Sequence, residues 1–441
     1  MLVDLLITHA SQLLTIPSHD QGPQRGDRLG DLAIITDGAL AVLRGSIVDL
    51  GSTADLVAKH QAAQTLDAGG RVVMPGFVDP HTHVVFAGDR ANEFEQRIAG
   101  ATYMEIMNAG GGIMSTVRAT RAASLDELVD QTRARLDRML AHGTTTAEAK
   151  TGYGLETVAE LKMLVAIKRL NAEHPIDLMP TFLGAHAIPA EYTGREDEYT
   201  DLVVNEMLPA VSAFIPHPSS LILRSSPLFV DVFCEHGAFT LEQSRRILEK
   251  AKELGFALKI HVDEFEPLGG TRLGVELGAI SVDHVVTTPL EEIEMLGQSN
   301  TIAVSLPGTP FGLAQRDYTP AKAILAAGGA LALATDINPG TTWNESMQLI
   351  VALACRYLKL TQAQALAAAT INAAHAIGRG GSIGSLEIGK QADVLIMDVS
   401  DYRTIGYRYG TNLVRTVIKR GQIIQPQTLA RGSATIDYPW G

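Results

Sequence analysis

The sequence predicts an α/β fold: a (β/α)8 TIM-like barrel with a small β-sandwich domain built from both chain ends. Three observations predict it. The middle of the chain alternates short apolar strands with amphipathic helices. Eight such strands can be counted there, the number that closes a barrel of this kind. The first and last stretches both read as strands joined by Gly-containing turns. On this reading residues 1–74 and 386–441 form the small β domain, and residues 75–385 form the barrel.

Taken in order, the chain opens with LLITHA, LAIITDGALAVLRGSIVDLG and RVVMPGF, β segments with Gly and Asp at their turns. Barrel strands are expected at 73–78, 144–149, 178–183, 229–233, 257–261, 280–284, 302–306 and 330–335. Ser124 with Glu127, Thr240 with Gln243 and Thr361 with Gln364 read as capping boxes before apolar runs, so each should start a helix. In the first, Leu125, Leu128, Val129, Thr132, Leu136 and Met139 share one helical face. Residues 155–173 read as a helix with Val158, Leu161, Leu164, Val165 and Ile167 as its core face and Pro175 as its stop. Segment 212–228 is long and should enlarge an outer loop. Gly-rich segments 109–112 and 306–310 either line a pocket or merely connect, since Gly supplies permissive backbone in both cases. The chain closes with SLEIGKQADVLIMDVSDY and NLVRTVIKRGQII, again strands and turns.

Composition narrows the function classes. Hydrophobic residues are 46% of 441 and aromatics 5%, which suits an aliphatic core behind many short elements. Asp plus Glu outnumber Lys plus Arg by 49 to 36, a formal charge of −13, and a phosphate backbone demands the opposite sign, so nucleic acid is not an expected partner. Cys234 and Cys355, far apart and outside any Cys-x-x-Cys pattern, suit a reducing compartment and no disulfide framework. The first residues show no basic lead or cleavage site, and no stretch supplies the ~20 apolar residues of a membrane span. A soluble cytoplasmic protein acting on a small molecule is expected; a homodimer is compatible with the sequence.

The residues that carry chemistry lie at strand ends. His81 and His83 in PHTH follow an apolar strand, and residues two apart in extended chain point the same way, so both imidazoles can converge on one ion. His261 ends ALKIH, His284 ends SVDH and Asp336 ends ALALATD. Each polar residue follows a run that should be buried, at the strand ends where barrel active sites are assembled. Singly, His261 or His284 reads equally as a buried histidine satisfied by backbone, and Asp336 as a helix cap. Together with His81 and His83 they suit Zn²⁺ or Fe²⁺, which lowers the pKa of bound water to about 7 and so points to hydrolysis.

With these residues in place the chain resembles the amidohydrolase superfamily: His-x-His after the first barrel strand, His at the fifth and sixth, Asp at the eighth. Within it, HTHVVFAGDRANEFEQRIAGATYMEIMNAGGGI, AKTGYGLE, TFLGAHAIP, DVFCE, HVDEFEPLGG, LPGTPFGLA and ATDINPGT resemble the imidazolonepropionase family of histidine degradation. The resemblance implies one divalent ion, Zn or Fe, on His81, His83, His261 and Asp336, rather than a pair bridged by a carboxylated Lys150. It implies a substrate pocket of Arg90, Tyr103, Tyr153, His186, Glu264, Asn338, Gly340 and Thr341, with Glu264, His284, Asp336 and His186 catalytic. The implied reaction is hydrolysis of the ring amide of 4-imidazolone-5-propanoate to N-formimino-L-glutamate by metal-activated water, with His186 steadying the oxyanion. Arg90 offers a planar fork to a propionate; without the resemblance it reads as a solvated charge, and the two tyrosines as packing aromatics. Glu264 can act as acid or base if burial raises its pKa. Ile337 stands where the family pattern leads one to expect an aromatic.

Other readings stay open on the sequence alone. A deaminase or another cyclic amidase would use the same metal constellation. A scaffold protein that has lost its ion, or a metal-storage protein, would keep the histidines without turnover.

Overall fold

Two eight-stranded sheets organise the computed structural model, which describes residues 1–101, 105, 110–214 and 228–424. The first is mixed: β1 (Leu2–Leu13), β2 (Ile35–Leu43), β3 (Ser46–Ser52), β4 (Gln61–Asp67) and β5 (Val72–Pro75) from the start of the chain, with β14 (Val394–Met397), β15 (Val414–Lys419) and β16 (Gln422–Ile424) from its end. The second is parallel throughout: β6 (Phe77–Asp79), β7 (Thr144–Lys150), β8 (Asp177–Ala185), β9 (Phe229–Cys234), β10 (Ala257–Val262), β11 (Ser281–His284), β12 (Ile302–Ser305) and β13 (Leu331–Leu333).

The mixed sheet branches on β1, which pairs antiparallel with β2, parallel with β4 along its first half and parallel with β5 at its end. The two chain ends meet where β5 runs antiparallel to β14. Alternation sets the buried face: Leu5 and Ile7, Leu40 and Val42, Val394 and Ile396 pack into one cluster, as a period of two requires.

The parallel sheet curls into a nearly closed barrel. No ladder joins β13 back to β6; the seam is closed by a side chain. Asp79, at the end of β6 and fully buried, accepts hydrogen bonds from the Thr335 amide (3.0 Å) and hydroxyl (2.5 Å). Two main-chain bonds lie just beyond it, Asp336 N–H to the His81 carbonyl (3.1 Å) and His83 N–H to the Ile337 carbonyl (2.9 Å). The same closure that finishes the barrel therefore brings Asp336 against the His-x-His segment.

All three capping boxes are present with both reciprocal bonds, starting helices Leu125–Ala141, Leu241–Glu253 and Gln362–Ala368. Helix Leu125–Ala141 buries Leu128, Val129, Leu136 and Met139 against the barrel, each contributing roughly 1.5–3 kcal/mol. Truncating Leu136 to Ala would cost about 2–5 kcal/mol.

Three expectations need correction. The expected strand 73–78 is two strands in different sheets, broken at Gly76, where a methyl group would collide with the Thr145 side chain. Val158, placed in the core by periodicity, is 77% exposed; the helix runs Thr157–Glu173 and turns Ala159, Met163, Ile167 and Leu170 inward. A short helix Thr53–Lys59, capped by Ser52, was not anticipated. Of segment 212–228, residues 215–227 lie outside the described residues. No helix among the described residues is long and apolar enough to cross a membrane.

Candidate active site

The carboxyl ends of β6, β10, β11 and β13 converge at one mouth of the barrel, and the polar residues that end or follow these strands meet there. His81 and His83 follow β6, His261 lies near the end of β10, His284 ends β11 and Asp336 follows β13, all buried. His81 Nε2 and His83 Nε2 each lie 3.5 Å from Asp336 Oδ1, and His261 Nε2 lies 3.3 Å from His83 Nε2. A tetrahedral ion with bonds of about 2.0–2.1 Å needs ligand-to-ligand edges of about 3.3–3.4 Å, so the spacing fits. His81 Nε2 is buried with no hydrogen-bond partner, as expected of an atom whose partner is an ion. His284 joins His81 and His261 in a second group with ligand atoms within 4.8 Å of one another.

Protonation states suit the same use. Burial, then the positive charge of Lys150, pushes the His81 pKa well below the ordinary histidine range; burial, then His186, does so for His83. Both are neutral, as a ligand must be. Burial raises Asp336 to about 6, with the Thr309 hydrogen bond to Oδ2 opposing the shift. Asp336 and His284 hold φ of 53° and 80°, left-handed values that non-glycine residues rarely adopt. The Thr319 hydroxyl pins the His284 carbonyl at 2.7 Å.

Glu264 sits beside this cluster. Its carboxyl is buried, raised well above the usual range by desolvation and then by Asp336, and its Oε2 lies 3.5 Å from His284 Nε2. Glu235 fixes the following turn by accepting the amides of Phe265 (2.9 Å) and Glu266 (3.2 Å). His186 stacks on His83 with centroids 4.7 Å apart, and its Nδ1 is 3.0 Å from the Gly152 carbonyl. Nδ1–H must donate there, so in the neutral ring Nε2 is an acceptor. Burial lowers the His186 pKa to about 3, which keeps the ring neutral. A neutral ring in this tautomer has no proton for an oxyanion, so the expected oxyanion role lacks its donor.

A second group lies beside this cluster. Tyr153 is 3% exposed, 6.0 Å from His83 and 5.3 Å from His186 between ring centroids, and burial keeps its hydroxyl protonated. Arg90 gives its Nε to Glu93 (2.7 Å), and its terminal nitrogens make no hydrogen bond among the described residues. The guanidinium lies over Gly340, where any Cβ would collide with Nη1. Asn338 knits the DINPGT loop: its Oδ1 accepts the amides of Gly340 and Thr341 at 2.8 Å, and its Nδ2 donates to the Asp336 carbonyl (2.8 Å) and Thr341 Oγ1 (2.9 Å). Asn338, Gly340 and Thr341 are thus brought together, with the amide of Asn338 engaged within its own loop. Ile337 is fully buried in the barrel core. Tyr103 lies outside the described residues.

Sequence reasoning missed several residues that the geometry makes prominent. Thr309, from the Gly-rich segment 306–310, donates its hydroxyl to Asp336 Oδ2 and so brings that segment against the cluster. Glu160, fully buried, accepts the amides of Gly152, Gly154 and Leu155 and so shapes the loop bearing Tyr153. Glu148, Lys150, Asp231, Lys259 and Asp283 form a buried charged cluster beneath the histidines. Lys150 is held there by Glu148 and Asp231. Charges two apart on one strand face, as in Glu148 with Lys150 and Lys259 with His261, were the available signal.

Comparison with known proteins agrees with this arrangement. Residues 72–424 match the amidohydrolase family model. The imidazolonepropionase of Herpetosiphon aurantiacus is 58% identical over 97% of this chain and 98% of its own length. That of Chloroflexus aggregans is 52% identical over 96% and 98%. Among solved structures, an adenosine deaminase from Xanthomonas campestris with bound Zn superposes with a TM-score of 0.69 at 21% identity, covering 96% of this chain and 93% of that one. A 5-methylcytosine deaminase from Klebsiella pneumoniae gives 0.69 at 18%, covering 95% and 97%. At such identities the deaminases share the fold alone, whereas the full-length likeness in sequence is to the other group. The chain belongs to the amidohydrolase family and, within it, to the imidazolonepropionases.

Proposed function

We propose that the protein hydrolyses the ring amide of 4-imidazolone-5-propanoate, giving N-formimino-L-glutamate in the cytoplasm as a step of histidine degradation. The observation that carries this reading is the pairing of a cationic anchor with a hydrolytic cluster in one pocket. Arg90 presents a guanidinium edge over Gly340, suited to a propionate, while buried imidazoles and Asp336 face the space where a ring would lie.

His81, His83, His261 and Asp336 would hold one divalent ion, Zn or Fe; their edge lengths and the unpartnered His81 Nε2 support this. When bound, the ion supplies a Lewis acid for the ring carbonyl and a water whose pKa falls to about 7. Asp336 and His284 would orient the attacking water, with His284, its Nε2 3.5 Å from Glu264 Oε2, as the group that would take its proton. A C–O bond forms at the ring carbonyl and the C–N bond breaks. Glu264, protonated because it is buried beside Asp336, would give its proton to the departing ring nitrogen and regain one from His284, 3.5 Å away. His186, with Nε2 as acceptor, holds a substrate ring N–H. Arg90 and Tyr153 grip the propionate and Tyr103 is a further substrate-binding residue, with Asn338, Gly340 and Thr341 fixing the loop beneath Arg90. All of these residues fall in the proposed barrel unit, residues 75–385, with 1–74 and 386–441 as the small β unit.

A substrate comparison tests this. Purified metal-loaded protein is offered imidazolone propionate and, separately, adenine, guanine and cytosine, with ammonia release recorded. Turnover of the first and no ammonia from the bases is expected; deamination of a base without imidazolone turnover would replace this reading with the deaminase one. Arg90→Ala should chiefly raise KM, and His284→Ala chiefly lower kcat.

A further inference from the structure

Five charged side chains lie directly beneath the proposed ligands, and no step of the proposed chemistry uses them. Glu148 and Lys150 come from β7, Asp231 from β9, Lys259 from β10 and Asp283 from β11, all with 0% exposure. Lys150 Nζ donates to Glu148 Oε1 (2.9 Å) and Asp231 Oδ2 (2.7 Å), and lies 3.9 Å from Asp283 Oδ2. Lys259 Nζ donates to the Pro80 carbonyl (2.6 Å) and Glu148 Oε2 (3.0 Å), and lies 3.3 Å from Asp283 Oδ2. Two ammonium groups thus tie three carboxylates into one body.

Two of those carboxylates face the backs of imidazoles. Asp283 Oδ2 is hydrogen-bonded to His81 Nδ1 at 2.6 Å, and Asp231 Oδ2 pairs with His261 Nδ1 at 3.0 Å without the alignment of a hydrogen bond. The bond to Asp283 fixes the tautomer of His81, and the two carboxylates behind the rings leave Nε2 facing outward, toward Asp336 and His83. Among the described residues no carboxylate pairs with His83 Nδ1. Burying five charges is expensive, and a well-packed apolar set would serve stability as well. Placement under two of the three ligand histidines is what calls for a reason.

We propose that Lys150 is a positioning residue of the metal site: by clamping Asp231, and with Lys259 Asp283, it holds His261 and His81 with Nε2 aimed at the ion. This rests on the assignment of those histidines as ligands.

The test measures metal binding without turnover. Apo protein is titrated with Zn²⁺ against a chromophoric chelator, and the visible spectrum of the Co²⁺-loaded protein is recorded, for wild type, Lys150→Met and Asp283→Asn. Far-UV circular dichroism of each apo protein controls for folding. Wild type should bind one Zn²⁺, and each variant should bind it about 10–100-fold more weakly with a changed Co²⁺ spectrum. If Lys150→Met does not fold, Asp283→Asn, which removes one charge and keeps the shape, decides. Folded variants with wild-type affinity and an unchanged Co²⁺ spectrum would overturn the proposal while leaving the ligand assignment intact. Wild type that takes up no Zn²⁺ would overturn the ligand assignment, and the proposal with it.

Discussion

Gly340→Ala puts the substrate anchor to a steric test. A Cβ at position 340 would lie 3.2 Å from Arg90 Cζ and closer still to Nη1, so the guanidinium must retreat by about 1 Å to regain ordinary contact. The φ of Gly340 is not in the left-handed region, so alanine brings no backbone strain, and the atom it meets is the mobile end of a side chain. Folding should therefore be nearly unaffected. Binding should not: a misplacement of about 1 Å at a positioning group can cost ~10²-fold, equivalent to about 2.7 kcal/mol. Steady-state kinetics on imidazolone propionate should show the loss mainly in KM, with Tm within a few degrees of wild type. A substrate amidated at the propionate should lose far less, because it makes little use of the guanidinium. Wild-type KM in folded Gly340→Ala would refute the placement of the carboxylate at Arg90.

Glu160→Gln should raise KM about 10-fold and leave metal content unchanged, because an amide cannot accept every N–H that the carboxylate takes from Gly152, Gly154 and Leu155, the loop that aims Tyr153; an unchanged KM would mean the loop does not need it. Glu387 tests linkage in the contact between the chain start and the segment that leaves the barrel. Burial alone would raise its pKa, but Lys390, Ser385 and the Ser18 amide lower it from 4.5 to about 2. Its folded pKa lies below the unfolded one, so its stabilisation is full above about pH 4.5 and disappears as pH falls toward 2. The Tm gap between wild type and Glu387→Gln should be widest at neutral pH and close over that window; a gap independent of pH would contradict the assignment.

How much of this was legible in the sequence follows from what each residue's neighbours are. Capping boxes are local, and Ser124, Thr240 and Thr361 all start helices as their spacing implied. Ligand candidates were legible because strand ends in a barrel share one rim, so His81, His83, His261, His284 and Asp336 needed only their positions after apolar runs. Gly76 was not legible as a break, since what forbids a side chain there is Thr145, nearly seventy residues away in sequence and adjacent only after β6 and β7 pair. Val158 failed for a related reason: periodicity gives a face but not its rotation, and the helix presents the face containing the buried carboxylate of Glu160. The cluster around Lys150 draws on four strands, and no local pattern joins them. His186 could be located from GAHA, but its tautomer depends on the Gly152 carbonyl that folding brings to Nδ1.

The central claim is metal-dependent addition of water to the imidazolone ring, and mass spectrometry tests it most directly. Freshly generated imidazolone propionate is incubated in H2¹⁸O with metal-loaded protein and with a sample stripped by chelator. The account predicts N-formimino-L-glutamate carrying one ¹⁸O in its new carboxylate with the loaded protein, and with the stripped protein only after Zn²⁺ or Fe²⁺ is returned. Unchanged substrate with fully loaded protein, or product at full rate without metal, would contradict it.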